Sequence, residues 1–204
     1  MAEFAVPQVH GSQLFTTAGA FTFTVPSSYV GQIMVIAQGA GGGGSGSNSA
    51  PAPQFVGGRG AICVKTISVT GGEQFTGTIG AGGAYYELGT SGAGGNGGAT
   101  TFTGTGVSMS AGGGLGGECQ DMITAPNAAT GGDYNCPGDQ PASLNYNSAT
   151  KGSDSLFGLG GANASGVNVS GASGGPGAGG GALTSGSSTW GSGTGGPGAV
   201  LVIW

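Results

Sequence analysis

The chain has 204 residues, 52 of them glycine and 9 proline, with 5% charged residues and a formal net charge of −5. Its only bases are Arg59, Lys65 and Lys151, so it lacks the basic footprint that nucleic acid or an anionic membrane surface would need. This much glycine and proline approaches the level of disordered chains, yet disorder rests on high charge with low hydrophobicity, and 37% of these residues are hydrophobic.

The first residues, MAEFAVPQVHGSQ, have no basic start and no sustained apolar stretch, which argues against a secretory signal. Phe4, Val6 and Val9 have nothing local to bury them, and residues 1–13 read as a docking arm. AFTFTV (Ala20–Val25) alternates and places Phe21, Phe23 and Val25 on one face. PSS then supplies turn chemistry, and QIMVIA (Gln32–Ala37) is apolar on both faces, as in a covered strand. The glycines that follow, GAGGGG, satisfy G-x-G-x-x-G. A pyrophosphate site needs a helix to start there, whereas the chain continues SGSNSAPAP, whose prolines forbid one. AICVKTISV (Ala61–Val69) is strand-like, and TGGEQ reads as a hairpin turn into FTGTIGAGG. ATTFTGT and VSMSA are short strands, and AVLVIW (Ala199–Trp204) is a buried one, far too short to span a bilayer. No apolar period of 3.6 persists over a helical length.

Glycine tracts separate these strands: GAGGGGSG, GTSGAGGNGGA, SAGGGLGG, SGASGGPGAGGGA and GSGTGGPGA. A collagen helix is excluded because no strict third-residue glycine runs through GGPGAGGG. Two readings stay open on composition alone. The tracts are flexible linkers, or they are extended segments packed closely enough to bond N–H to C=O between neighbours.

The blocks FTTAGAFTFTVPSSYVGQIMVIAQGAGGGG, GGRGAICVKTISVTGGEQFTGTIGAGG, GGNGGATTFTGTGVSMSAGGGLGG and GTGGPGAVLVIW follow one another in an order that resembles the glycine-rich domain at the ends of many bacteriophage tail fibres. The chain is also similar to the small separate tip adhesins of T-even-like phages, which stack polyglycine-II helices and present variable loops. The resemblance covers about 14–117 and 174–204. It implies an all-β fold with essentially no α-helix: a small antiparallel β-sandwich base, packed polyglycine-II helices and exposed loops. The domain would span 14–204, with variable loops at about 45–56, 84–92, 118–158 and 183–192. The implied protein is a virion component, assembled in the host cytoplasm. It would bind a surface glycan or outer-membrane protein of the host and contact other virion proteins through its arm, as one subunit or several. The competing reading is a structural fibre or capsid element without receptor binding.

Enzymatic and metal chemistry have little support, and no cofactor is expected. His10 is the only histidine and precedes the first clear strand. Glu118, Asp121, Asp133, Asp139 and Asp154 do not follow calcium-loop spacing and read as solvated acids. Cys63 reads as a buried small hydrophobe. Cys119 and Cys136 bracket a loop that a disulfide would close, and particle exposure permits oxidation while cytoplasmic assembly opposes it. The sandwich core is read as Phe21, Phe23, Ile33, Val35, Val64, Ile67, Val200, Val202 and Trp204. Receptor contacts are assigned to Tyr85, Tyr86, Asp121, Met122, Tyr134, Asn135, Tyr146 and Trp190, whose aromatics join apolar area to a polar handle. Ice binding, a further class, favours regular threonine-rich faces, and the aromatic loops argue against it.

Overall fold

The computed structural model describes residues 10–46, 54–85, 92–117, 127–139, 143–144, 151–163, 170–182 and 192–204. Every regular element among them is a β-strand: β1 (Ser12–Phe15), β2 (Gly19–Thr24), β3 (Val30–Gln38), β4 (Gln54–Phe55), β5 (Ile62–Thr70), β6 (Gln74–Ile79), β7 (Thr100–Gly104), β8 (Val107–Ala111), β9 (Ala129–Thr130), β10 (Tyr134–Cys136), β11 (Ser143–Leu144) and β12 (Ala199–Ile203). One sheet has the order β1-β12-β3-β5-β10, a second has β2-β6-β7-β8-β9, and β4 pairs with β11 apart from both. All these pairings are antiparallel.

The inner faces of the two sheets share one core. Phe23, Phe75, Phe102 and Met109 of the second sheet meet Ile33, Val35, Val200 and Val202 of the first. Phe75 stacks on Phe102 with centroids 5.1 Å apart, and Phe23 lies 5.5 Å from Trp204. Full burial of each such side chain contributes roughly 1.5–3 kcal/mol. The alternation in AFTFTV holds: Phe23 and Val25 are buried and Phe21 packs against the same cluster. Cys63 is buried, as expected.

Four expectations change. TGGEQ does not close a hairpin, because β5 belongs to the first sheet and β6 to the second. The turn is an arch between sheets, and the turn from β2 to β3 is another stacked on it. Gly72 N–H donates to Val25 O and Val25 N–H to Glu73 O, both at 2.9 Å. Gly72 has φ +87°, which glycine adopts without a Cβ penalty. QIMVIA is covered on one face only, since Met34 is 38% exposed while Ile33 and Val35 are fully buried. Val64 and Ile67 cannot both face the core at an odd spacing in one strand. Ile67 packs inward, and Val64 is half-buried on the outer face. AVLVIW does pair with β3, but its other partner is β1, which begins inside the segment read as an arm.

The expected loop 118–158 also holds structure. β9 and β10 extend one sheet each, pairing with β8 and β5.

The glycine tracts are packed against one another. In the segment 39–46, which prolongs β3, the acceptor changes with every residue and returns every third. Gly39, Gly42 and Ser45 donate to Ala61, Gly58 and Phe55; Ala40, Gly43 and Gly46 donate to Gly98, Gly95 and Gly92; Gly41 and Gly44 donate to Gly196 and Gly193. Its carbonyls accept from three further segments: Ala40 and Gly43 from Gly114 and Gly117, Gly41 from Gly83, Gly42 from Gly180. A backbone with three residues per turn presents its polar groups in this rotation.

The spacing tolerates no side chain at these glycines. A Cβ on Gly42 would fall on the carbonyl of Leu115, and one on Gly179 on the carbonyl of Gly57. Backbone cannot give way as a flexible side chain can. Gly42→Ala and Gly179→Val should therefore destabilise by more than the ~1–3 kcal/mol usual for overpacking, while Ala93→Ser, at an exposed position, leaves the melting temperature within a degree or two. Amides of Gly94–Gly98 and Gly177–Gly181 should resist hydrogen exchange. Free-peptide exchange there, or wild-type melting of both glycine variants, would contradict the packing.

Candidate functional site

Six lattice segments run directly out of or into the sandwich: 39–46 follows β3, 55–61 precedes β5, 80–85 follows β6, 92–99 precedes β7, 112–117 follows β8 and 192–198 precedes β12. The sandwich holds one end of each, which sets the register of the other. At the far end, Ser45 bonds Phe55, Gly46 bonds Gly92, Gly44 bonds Gly193 and Gly43 accepts from Gly117. Gly46, Ala84, Gly92 and Gly117 therefore lie together at the end remote from the sandwich.

Tyr85 stands at this far end, 43% exposed. Ala84 beside it accepts from Gly95. Tyr134 is elsewhere, on the flank of the first sheet opposite Val64 and 62% exposed. The two aromatics therefore do not form one site. Asn135 is committed internally: its Nδ2 donates to Gly132 O at 3.0 Å and its Oδ1 accepts from Gly132 N–H at 3.2 Å. Tyr86, Asp121, Met122, Tyr146, Trp190, Cys119, Phe4, Val6 and Val9 lie outside the described residues.

Polar side chains that sequence reading passed over complete the lattice where a glycine partner is missing. Asn96 Oδ1 accepts from Gly116 N–H at 2.8 Å, Thr100 Oγ1 from Gly80 N–H at 3.1 Å, and Asn163 Oδ1 from Ala182 N–H at 2.9 Å. An isolated amide or hydroxyl within or beside a glycine tract is the signal that could have found them, since each buried N–H needs a partner.

All three cations of the chain are paired. Arg59 grips Asp139 through Nε at 2.9 Å and Nη2 at 3.0 Å, and Nη2 also reaches Cys136 Sγ at 3.8 Å. Lys65 meets Asp133 at 3.2 Å, and Lys151 meets Asp154 at 2.6 Å. Cys63 and Cys136 are free thiols, and burial pushes the Cys63 thiol up, with Lys65 opposing. No group of three or more histidine, cysteine, aspartate or glutamate side chains is placed to hold a metal among the described residues.

The two outer faces of the sandwich differ in chemistry. Across the second sheet, Thr78, Thr101, Ser110 and Thr130 stand in one cross-strand row, and Thr22, Thr76, Thr103 and Ser108 in the next. The first sheet carries Leu14, Leu201, Ile36, Val64 and Tyr134 in one outward row, with Ser12, Gln32, Thr66 and Ser68 among its other outward positions.

Asp133 ties the β10 turn to β5: its carboxylate accepts from Thr66 N–H at 2.9 Å. That bond, aided by Lys65, holds its pKa below the ordinary aspartate value. A depressed carboxylate stabilises the fold above its unfolded pKa and loses that contribution as pH falls through its folded pKa. Acidification from the ordinary aspartate range downward should accelerate amide exchange in Tyr134–Cys136, and Asp133→Asn should remove that pH dependence. An identical acid response in the variant would refute the link.

Among proteins of known function, no curated sequence matches this chain. The glycine-rich domain matches residues 16–204, from just after β1 through β12 to the C-terminal Trp204. By that match the chain belongs to the glycine-rich domain family.

Proposed function

We propose that the protein is a phage structural protein, a tail-fibre tip or spike adhesin that binds a host surface glycan or outer-membrane protein. The observation that carries this reading is the convergence of the scaffold segments at the end remote from the sandwich, where Gly46 bonds Gly92 and Gly43 accepts from Gly117. A rigid scaffold that returns the chain repeatedly to one end suits recognition by side chains outside the scaffold. The threefold repeat of bonding partners supports a scaffold of the polyglycine-II type. The net charge of −5 disfavours strongly anionic targets, and a neutral glycan fits the uncharged surroundings best. Residues 1–9, which precede the backbone pairing of His10 and Gly11 with Trp204, would join the protein to other virion components.

The test is monovalent binding of the purified chain to envelopes of permissive bacteria. Tyr85→Ala, at the lattice end, should weaken binding by about tenfold or more, as loss of a contact aromatic does. Tyr134→Ala, on the flank, should leave it unchanged. Absence of wild-type binding to any permissive envelope would favour a fibre or capsid element without receptor function.

A second reading, ice binding, draws on the registered hydroxyl rows of the second sheet. Thermal hysteresis in the wild-type protein, lost in Thr76→Leu, would favour it over adhesion.

A further inference from the structure

The chain contains one Asn–Gly step, Asn96–Gly97, and it falls inside the lattice. Such a step is prone to spontaneous loss of the side-chain amide, because glycine has no Cβ to shield its nitrogen. The Gly97 nitrogen, once it gives its proton to solvent base, attacks Asn96 Cγ. A C–N bond forms, Nδ2 leaves as ammonia, and a succinimide ring closes. Water then opens the ring at either carbonyl. One opening gives aspartate. The other gives isoaspartate, whose main chain runs through the former side chain and is longer by one carbon. The reaction needs water and no oxidant, cofactor or second protein.

The fold holds both reacting groups off that path. Asn96 Oδ1 accepts from Gly116 N–H at 2.8 Å, and Gly97 N–H donates to Gly114 O at 2.8 Å. Ring closure requires rotation about the Cα–C bond of Asn96, and the backbone is tied on both sides of it. Gly94 and Gly95 donate to Gly117 and Ala84, while Gly97 and Gly98 donate to Gly114 and Ala81. Gly95 and Gly98 also accept from Gly43 and Ala40. The space beside Gly97 is filled as well, since a Cβ there would fall on the carbonyls of Ala40 and Gly41. Asn96 itself is at an exposed position, so water reaches it. Backbone bonds, and not burial, hold the reaction back.

We propose that Asn96 is a modification site which the glycine lattice keeps unreactive, and that opening the lattice releases it and makes unfolding irreversible. Chemical change in the opened chain then competes with refolding. The two products differ in what they do to the lattice. Aspartate keeps a carboxylate oxygen for Gly116 N–H. Isoaspartate lengthens a segment that is pinned at both ends, by the bonds between Gly92 and Gly46 and by Thr100 at the start of β7. The added bond is about 1.5 Å long, whereas good N–H···O distances vary by only about 0.5 Å. Gly97 and Gly98 therefore cannot keep Gly114 and Ala81 while Gly94 and Gly95 keep Gly117 and Ala84. The proposal is independent of host binding, and its test involves no host material.

The full chain is incubated folded and in guanidinium chloride at one mildly alkaline pH, and peptides spanning Asn96 are resolved by liquid chromatography and mass spectrometry. Amide-to-acid conversion at Asn96 should run about a hundredfold or more faster in denaturant, since protection follows the free energy of opening. After dilution from denaturant, aspartate chains should return to the folded fraction with unmodified chains, while isoaspartate chains stay unfolded. Asn96→Ser removes the reacting amide, and its refolding yield should not decline with time in denaturant. If that variant does not fold, the partition of wild-type products decides alone. The proposal fails if the folded protein converts at the denatured rate, or if Asn96 stays intact in denaturant. It fails equally if isoaspartate chains refold as aspartate chains do, or if freshly denatured, unmodified chains do not refold.

Discussion

Satisfaction of backbone hydrogen bonds without side chains is the constraint on which this molecule rests. In the segment 39–46 every N–H finds a carbonyl on a different neighbour, in a rotation that repeats after three residues. Such contact needs main chains nearer than any Cβ allows, and carbonyl groups occupy the places where Cβ atoms of Gly41, Gly42, Gly43 and Gly44 would stand. Glycine loses more conformational entropy on folding than other residues. Interior hydrogen bonds, at about 0.5–1.5 kcal/mol net each, offset that loss because nearly every residue makes one.

Such a lattice has no side-chain interdigitation to fix its register, so the register must come from elsewhere. The sandwich supplies it. Strands β3, β5, β6, β7, β8 and β12 run straight into lattice segments, and the aromatic core of Phe23, Phe75, Phe102 and Trp204 locks their relative positions. Polar residues refine the fit: Gln38, fully buried, reaches Gly60 O and Leu156 N–H, and Ser45 exchanges hydrogen bonds with Phe55 in both directions. Removal of an amide such as Asn96 would leave a buried N–H unpaired, which costs more than the bond itself contributes.

Charge is arranged with the same economy. Three cations pair with three of the eight acids: Arg59 with Asp139, Lys65 with Asp133 and Lys151 with Asp154. Asp133 shows how little charge is needed: one exposed carboxylate caps Thr66 and meets Lys65, joining the short β10 to the edge of the sheet.

Alternation in AFTFTV, the apolar run in AVLVIW and the absence of a helical period were legible in the sequence, because they follow from side-chain periodicity within single strands. So was the glycine lattice as one of two readings, since lack of Cβ atoms permits close packing without requiring it. Sequence alone determined the all-β class and the near absence of charge. Tertiary structure decided which sheet each strand joins: TGGEQ has hairpin residues, yet the stacked arches at Val25 and Gly72 send β5 and β6 to opposite sheets. It also decided that Val64 and Tyr134 face outward together while Cys63 and Ile67 face inward, because register with β3 and β10 is a property of paired strands. The partners of each glycine belong to the same class of fact. Identical residues carry no local information about their neighbours, and only the assembled set of strands supplies it.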